Sequence, residues 1–435
     1  MSREIATRLL VAERFKLTPP SAEDRVRSSY FPGFRVYSTM MTQGAFFPVF
    51  RLIMMVAPTL SQIYLFLRVR KAVLAFRCSR GARSLMVCLV AAAMGFLLAL
   101  NGYVLSGPVP RPEEPAALGA VLFYLPAIWS FGAVFSALFL CVVQAAGTLR
   151  RIFVHSFSKA AEQAASCDID VGRRRFLKAG IAGVAAAPFI LSGYGAAYAG
   201  KEYEVRELSL PFGRTIRVVQ LTDIHAGVYM TRKEIARYAD RVVALQPDLF
   251  VITGDFISNS MAFLPGCIEE LEKVKARYGG FAVLGNHERW YGKWIDLRSA
   301  FRRRGIRLLV NSHEVVQTEQ GAFAIAGIDD LRTGRPNLNA ALRGVDPAMP
   351  TLLLSHRPEI FPEAAGRGIR LTLAGHYHGG QIKVCGLSPA QLRTPYPEGL
   401  YRIDDCRLYV SCGIGTTFTP VRLNVPPEVT LLNLT

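Results

Sequence analysis

The sequence predicts a two-part chain: an all-α transmembrane region followed by an α/β sheet domain. Three observations predict it. Long apolar runs that are almost free of charge occupy the first half. Short strand and helix patterns alternate after residue 201, as in α/β domains. Five of the seven histidines fall in short motifs, each directly after an apolar strand.

Charge is divided unevenly. The first 200 residues carry 22 Lys+Arg and 9 Asp+Glu, and the remainder 29 and 24. The pI of 9.8 therefore belongs to the N-terminal part. There the basic residues flank apolar runs, the bias of cytoplasmic membrane loops. A nucleic-acid partner is not expected. The eight cysteines include no Cys-x-x-Cys, which excludes zinc-ribbon and thioredoxin readings. Cys267, Cys385, Cys406 and Cys412 lie in the C-terminal part. Outside the cytoplasm they allow a disulfide; the alternative is buried free thiols.

Residues 1–43 form a polar, basic tail, and residues 44–150 a membrane region with about three helices. Its runs are Ala45–Leu67, broken by Arg51 and Pro58, then Leu85–Leu105 and Ala116–Ala146. A span needs ~20 apolar residues. Arg68, Arg70, Lys71, Arg77, Arg80 and Arg83 place the first link in the cytoplasm. The link Ser106–Pro115 then lies outside, and Arg150, Arg151 and Lys159 return the chain inside. This leaves the basic tail outside, or the first run re-entrant.

Residues 151–200 are a cytoplasmic link followed by Gly172-Arg173-Arg174-Arg175-Phe176-Leu177-Lys178 and the mildly apolar Ala179–Ala199. The segment resembles a twin-arginine export signal, and Ala197-Tyr198-Ala199 has the small-x-small form of a cleavage site. The alternative is a fourth transmembrane helix. Either reading sends residues 201–435 out of the cytoplasm. The expected location is the bacterial inner membrane, multi-pass, with the twin-arginine export machinery as a partner.

In residues 201–435, strands are expected at Thr215–Leu221, Leu249–Thr253, Phe281–Leu284, Phe323–Ile328, Thr351–Leu354, Arg370–Leu373, Leu408–Ser411 and Val429–Leu434. Helices are expected at Thr231–Leu245, Ile268–Arg277 and Leu297–Arg304. Thr231 with Glu234 three residues on has the form of a capping box.

The motifs run Asp223-Ile-His225, Gly254-Asp255, Gly285-Asn286-His287-Glu288, Ser355-His356 and Gly375-His376-Tyr377-His378. Strand ends are where α/β sheets place ligand sites. Imidazoles and carboxylates together bind borderline cations, and a carboxylate has two oxygens with which to bridge a pair. Only His155 and His313 stand outside the motifs, and His313 reads as a surface residue.

In this order the motifs resemble the calcineurin-like metallophosphoesterases. Leu221-Thr-Asp-Ile-His, Gly375-His-Tyr-His-Gly-Gly-Gln381 and the tail Gly413-Ile-Gly-Thr, Pro420-Val-Arg422, Pro427-Glu428 resemble its bacterial membrane-linked, YkuE-like branch. The resemblance covers about residues 210–435. It implies a four-layer α/β/β/α sandwich and two divalent metal ions, with Mn, Fe or Zn left open. It assigns Asp223, His225 and His378 to one metal, and Asn286, His356 and His376 to the other, with Asp255 as the bridge. It makes His287 the catalytic residue, as general acid or positive stabiliser, with Glu288 able to orient it.

Arg422 and the Gly413–Gly415 turn are candidates to approach the phosphate. Asp329 and Asp330 read as a solvated turn or as support for the metal ligands. Trp290, Tyr291 and Trp294 form either an apolar lip or core packing. The expected activity is hydrolysis of phosphodiesters or phosphoanhydrides by direct attack of a metal-activated hydroxide. The substrate is expected to be lipid- or envelope-linked. Two alternatives stand: a pyrophosphatase of a nucleotide-linked lipid precursor of the UDP-diacylglucosamine type, and a non-catalytic metal-binding membrane sensor.

Overall fold

The computed structural model describes residues 43–106, 116–157, 171–198, 202–292, 294–417 and 419–435. The tail over 1–42, the link over 107–115, Lys159 and Ala199 lie outside the described residues, as do the side chains of Arg51, His155 and Trp294. The chain divides into two compact units, Met1–Met54 and Met55–Thr435. In the first, the described residues are the opening turns of a helix.

Four long helices come first: α1 (Gln43–Leu74), α2 (Arg80–Ser106), α3 (Ala116–Phe157) and α4 (Val171–Tyr198). Each is long and apolar enough to cross a membrane, over Leu52–Leu74, Arg80–Val104, Leu122–Phe153 and Arg175–Ala197. They extend beyond the apolar runs because the basic flanks continue the same helices.

Small residues let α3 and α4 approach closely. The Phe189 ring fills the place a side chain would take at Gly132. Trp129 lies 4.9 Å from that ring, and the Ser136 hydroxyl donates to the Ala185 carbonyl at 2.5 Å. Leu65 of α1 packs with Ala133 and Ala137 of α3. At the same interface Arg68 donates to Gln144 at 3.0 Å.

The domain that follows α4 is built on two six-stranded sheets. The first contains β1 (Glu204–Leu210), β2 (Ile216–Leu221), β3 (Leu249–Ile252), β4 (Gly280–Ala282), β5 (Ile306–Leu308) and β12 (Glu428–Leu434), ordered β1-β12-β2-β3-β4-β5. The second contains β6 (Ser312–Thr318), β7 (Gly321–Gly327), β8 (Thr351–Leu354), β9 (Leu371–Ala374), β10 (Gly399–Ile403) and β11 (Cys406–Val410), ordered β10-β11-β9-β8-β7-β6. β12 lies antiparallel to β2, while β2 through β5 are parallel.

Side-chain alternation sorts the core into three layers. Val218, Val251, Leu352, Leu354 and Leu373 face inward between the sheets. Val219, Phe250 and Ile252 face outward onto Ile235 and Val242 of α5 (Arg232–Ala244), Ile268 of α6 (Leu264–Leu271) and Phe301 of a helix over Trp294–Arg303. On the far side, Leu353 meets Leu338 and Ala364. The layers are therefore α/β/β/α, as expected. Thr231 caps α5 with its hydroxyl on the Glu234 N–H, completing the capping box.

Some expectations shift. α6 runs over Leu264–Leu271 rather than Ile268–Arg277: Pro265 pre-sets its first turn, and the helix stops six residues before Arg277. β1, β5, β6 and β10 were not anticipated. Cys267, Cys406 and Cys412 are buried free thiols and Cys385 is an exposed one.

Candidate metal centre

The loops leaving β2, β3, β4, β8 and β9 deliver every motif residue to one place. Backbone bonds stitch the first two loops together, with the Asp223 N–H donating to the Gly254 carbonyl at 3.0 Å and the His225 N–H to the Asp255 carbonyl at 3.0 Å. Five motif residues hold a left-handed backbone: Asp223 (φ 52°), His225 (51°), Asp255 (54°), His376 (77°) and His378 (51°). Asp and His tolerate this region better than most residues.

The motif glycines have a steric reason. A Cβ at Gly254 would sit 2.7 Å from the Gly285 nitrogen and 2.8 Å from His356 Nδ1. At Gly285 the Asp255 carboxylate occupies the place of a side chain. Gly285→Ala is therefore expected to displace Asp255, lowering metal content and destabilising the fold by about 1–3 kcal/mol. Metal analysis and thermal melting of the purified chain check this.

The side chains form two clusters around Asp255. In the first, His225 Nε2 lies 3.1 Å from His378 Nε2 and 3.8 Å from Asp223 Oδ1. His378 Nε2 is 3.4 Å from the same oxygen. In the second, His356 Nε2 lies 3.2 Å from Asn286 Oδ1 and 3.0 Å from His376 Nδ1. Asp255 Oδ2 stands 3.7 Å from His225 Nε2 and 3.3 Å from His356 Nε2. It is thus shared between the clusters. His356 Nδ1 donates to the Thr253 carbonyl at 2.8 Å, which turns Nε2 into the site.

Burial dominates the electrostatics. It lowers His225 to about 3, helped by the neighbouring His287. It also lowers His378 to about 3, against the pull of Asp223. Burial alone would lower His356 too, but the Asp255 carboxylate outweighs it and raises that imidazole to about 10. Asp255 is held well below the usual carboxylate range: burial opposes ionisation, and His356 and His287 overcome it.

These residues fit divalent cations. Asp223 Oδ1 is buried without a partner, and His225 and His378 turn two neutral ring nitrogens toward each other beside it. Three overlapping groups can each hold an ion: Asp223, His225 and His378; His225, Asp255 and His287; and Asp255, His356 and His376. A donor set of nitrogen and oxygen without sulfur suits borderline metals.

His287 opens α7 (Asn286–Tyr291), and its side chain is 12% exposed. Its Nδ1 contacts the Ser258 carbonyl, and Nε2 stands 3.8 Å from Asp255 Oδ2. The Trp290 ring lies 4.9 Å and the Tyr291 ring 6.1 Å away, so both aromatics border it.

Glu288 does not orient His287. Its carboxylate accepts the N–H groups of Asp255 (3.0 Å), Phe256 (2.8 Å), Ile257 (3.2 Å) and Gly285 (2.9 Å), pinning the metal loops. Burial and the Asp255 charge push it up to about 7. Arg422 is likewise buried, at 5% exposure, rather than presented to a phosphate. It donates to the carbonyls of Cys412 (2.9 Å), Gly413 (3.0 Å) and Gly415 (2.5 Å), and one nitrogen lies 3.3 Å from His378 Nδ1. It holds the Gly413–Gly415 turn behind that ligand.

Asp329 and Asp330 are buried, not a solvated turn. Asp329 grips Arg289 through both carboxylate oxygens. Asp330 accepts from Arg357 at 2.8 Å, and Arg357 in turn donates to His376 Nε2 and, at 3.0 Å, to Asn286 Oδ1. Ser258 and Arg357 were missed from sequence; an arginine directly after His356 was the available signal. His313 is half-buried, with Nδ1 2.8 Å from the Ala341 carbonyl.

Residues 216–380 match the calcineurin-like phosphoesterase family description. The chain is 30% identical over 283 residues to the uncharacterized metallophosphoesterase YkuE of Bacillus subtilis, covering 61% of this chain and 98% of that one. The chain belongs to the calcineurin-like phosphoesterase family. An uncharacterized metallophosphoesterase of Aquifex aeolicus is 31% identical, covering 54% of this chain and 90% of its own. A zebrafish (Danio rerio) transmembrane protein with metallophosphoesterase domain is 30% identical, covering 55% and 59%. As in the family, the site combines Asp and His clusters able to bind metal. That relative, like this chain, carries a metallophosphoesterase domain in a transmembrane protein.

Proposed function

We propose that this chain is a membrane-anchored phosphoesterase using two metal ions to hydrolyse phosphodiesters or phosphoanhydrides at the cell envelope. The observation that carries the reading is the sharing of Asp255 between two ligand clusters, with the half-open His287 beside them. When bound, the two cations polarise phosphoryl oxygens and acidify water. The protein residues supply the rest. Thr253 and Glu288 fix the ligands, Ser258 holds the His287 ring, and His287 Nε2 is positioned to give a proton to the leaving oxygen.

The full chain, loaded separately with Mn, Fe and Zn, is expected to hydrolyse bis(4-nitrophenyl) phosphate and to lose that activity on chelation. Inertness with every metal at full occupancy would leave the sensor reading in its place.

The paired arginines and basic links support an extracytoplasmic site. A periplasm-dependent reporter fused after Thr435 should be active. Replacing both Arg173 and Arg174 by Lys should abolish that activity if α4 acts as a twin-arginine signal. Unchanged export would identify α4 as an ordinary fourth span, because the charge is kept.

A further inference from the structure

Among the described residues of 202–435, the three most exposed large apolar side chains lie within nine residues of one another: Val384 (55%), Leu387 (72%) and Leu392 (91%). They are held on built structure. Val384 and Leu387 exchange backbone bonds of 2.9 and 3.0 Å across a tight turn. Cys385 (φ 50°) and Gly386 (φ 80°) give that turn the left-handed pair of a hairpin. Ser388 and Gln391 then cap the short turn that carries Leu392.

This tip is tied to the metal centre on one side. Gly380, two residues after His378, packs so closely on Ser388 and Ala390 that a Cβ there would lie 2.8 and 3.2 Å from them. On the other side it is tied to a membrane helix. The Lys383 N–H donates to the Leu423 carbonyl at 2.9 Å. The preceding residues, Val421 and Arg422, press against Gly195, close to the end of α4. The hairpin is therefore strapped to the strand of chain that meets α4 where it leaves its apolar span.

We propose that Val384, Leu387 and Leu392 insert into the lipid headgroup layer of the membrane crossed by the chain's own helices, and that the adjoining site takes phosphate esters carried in that layer. The second half rests on the phosphoesterase reading above. Lipid is the occupant because the side chains stand out from a convex tip. A fluid layer accepts single protrusions, whereas a protein partner needs a broad complementary patch. Exposed Arg393 beside Leu392 adds the positive charge that favours anionic headgroups.

The test uses the full chain in phosphatidylethanolamine–phosphatidylglycerol vesicles. Serine at positions 78, 88, 141 and 167 leaves Cys385 as the exposed thiol for a fluorophore. Glu319→Cys, in a Cys385→Ser background, provides the reference on the β6–β7 turn. At Cys385, iodide quenching is expected to fall about fivefold below the reference, and nitroxide-bearing lipid should quench the label. Equal iodide quenching would place the tip in water. Protection from iodide without quenching by lipid would mean that protein covers it. Either result overturns the insertion.

The double variant Leu387→Glu, Leu392→Glu should lose about tenfold in kcat/KM on a vesicle-borne phosphatidyl 4-nitrophenyl diester, while bis(4-nitrophenyl) phosphate changes less than twofold. Equal effects on both would overturn the substrate half. If the unaltered chain hydrolyses neither ester, the phosphoesterase reading fails and takes that half with it. The fluorescence result stands apart from either outcome.

Discussion

Asp255→Asn is expected to strip the site of metal and to reduce turnover by at least about 10³-fold, about 4 kcal/mol of barrier at ~1.36 kcal/mol per decade. Asp255 Oδ2 is within 4 Å of ring nitrogens in both clusters, so one neutralised side chain weakens both at once. The amide also presents one neutral oxygen where the carboxylate offered two anionic ones, so it cannot serve both clusters as a charged ligand. Metal content by elemental analysis should fall below one ion per chain. Because ligands that bind only the folded state stabilise it, added metal should raise the melting temperature of the unaltered chain and not of the variant. Full metal content in the variant would remove Asp255 from the bridging role.

His287→Ala should separate chemistry from ligation. If His287 acts on the leaving oxygen, the variant keeps about two metals and loses about 10²–10⁴-fold in maximal rate. The loss should shrink for nitrophenolate, which needs little protonation, and be largest for alkyl esters. Equal losses on both leaving groups would refute proton donation. The geometry makes the experiment discriminating, since His287 Nε2 also falls within reach of the His225–Asp255 pair. Loss of metal would make His287 a ligand instead.

The sequence was most legible where burial leaves least freedom. β3, β8 and β9 are covered on both faces and read as apolar runs, interrupted only by Thr351 and Thr372. The four strands it did not reveal, β1, β5, β6 and β10, are the four edges of the two sheets. β1 is exposed at most positions and carries Glu204, Arg206 and Glu207, so no period announces it. The metal-cluster residues were legible because each lies a few positions beyond a strand. Their supports were not: Arg357 reaches Asp330 across 27 residues and Asn286 across 71. Ser258 contributes only a main-chain carbonyl, which any residue type could supply. Glu288 shows the limit of arguing from a neighbour in sequence, because the helical turn carries its carboxylate to the loop N–H groups and away from His287.

The left-handed backbone at Asp223, His225, Asp255, His376 and His378 reaches beyond the chemistry it serves. Each such position costs of order 1–3 kcal/mol relative to relaxed backbone, borne by the surrounding sandwich. Selection for foldability alone would erase them, since Gly or Asn relieves the tension at every one. Asp and His at five such positions are therefore what a metal-binding site, and not the fold, asks for. In a lineage that had abandoned catalysis, these positions would be among the first to drift, and toward glycine, while the apolar strands beside them stayed unchanged. A descendant's working state could then be judged from five backbone angles before any assay was run.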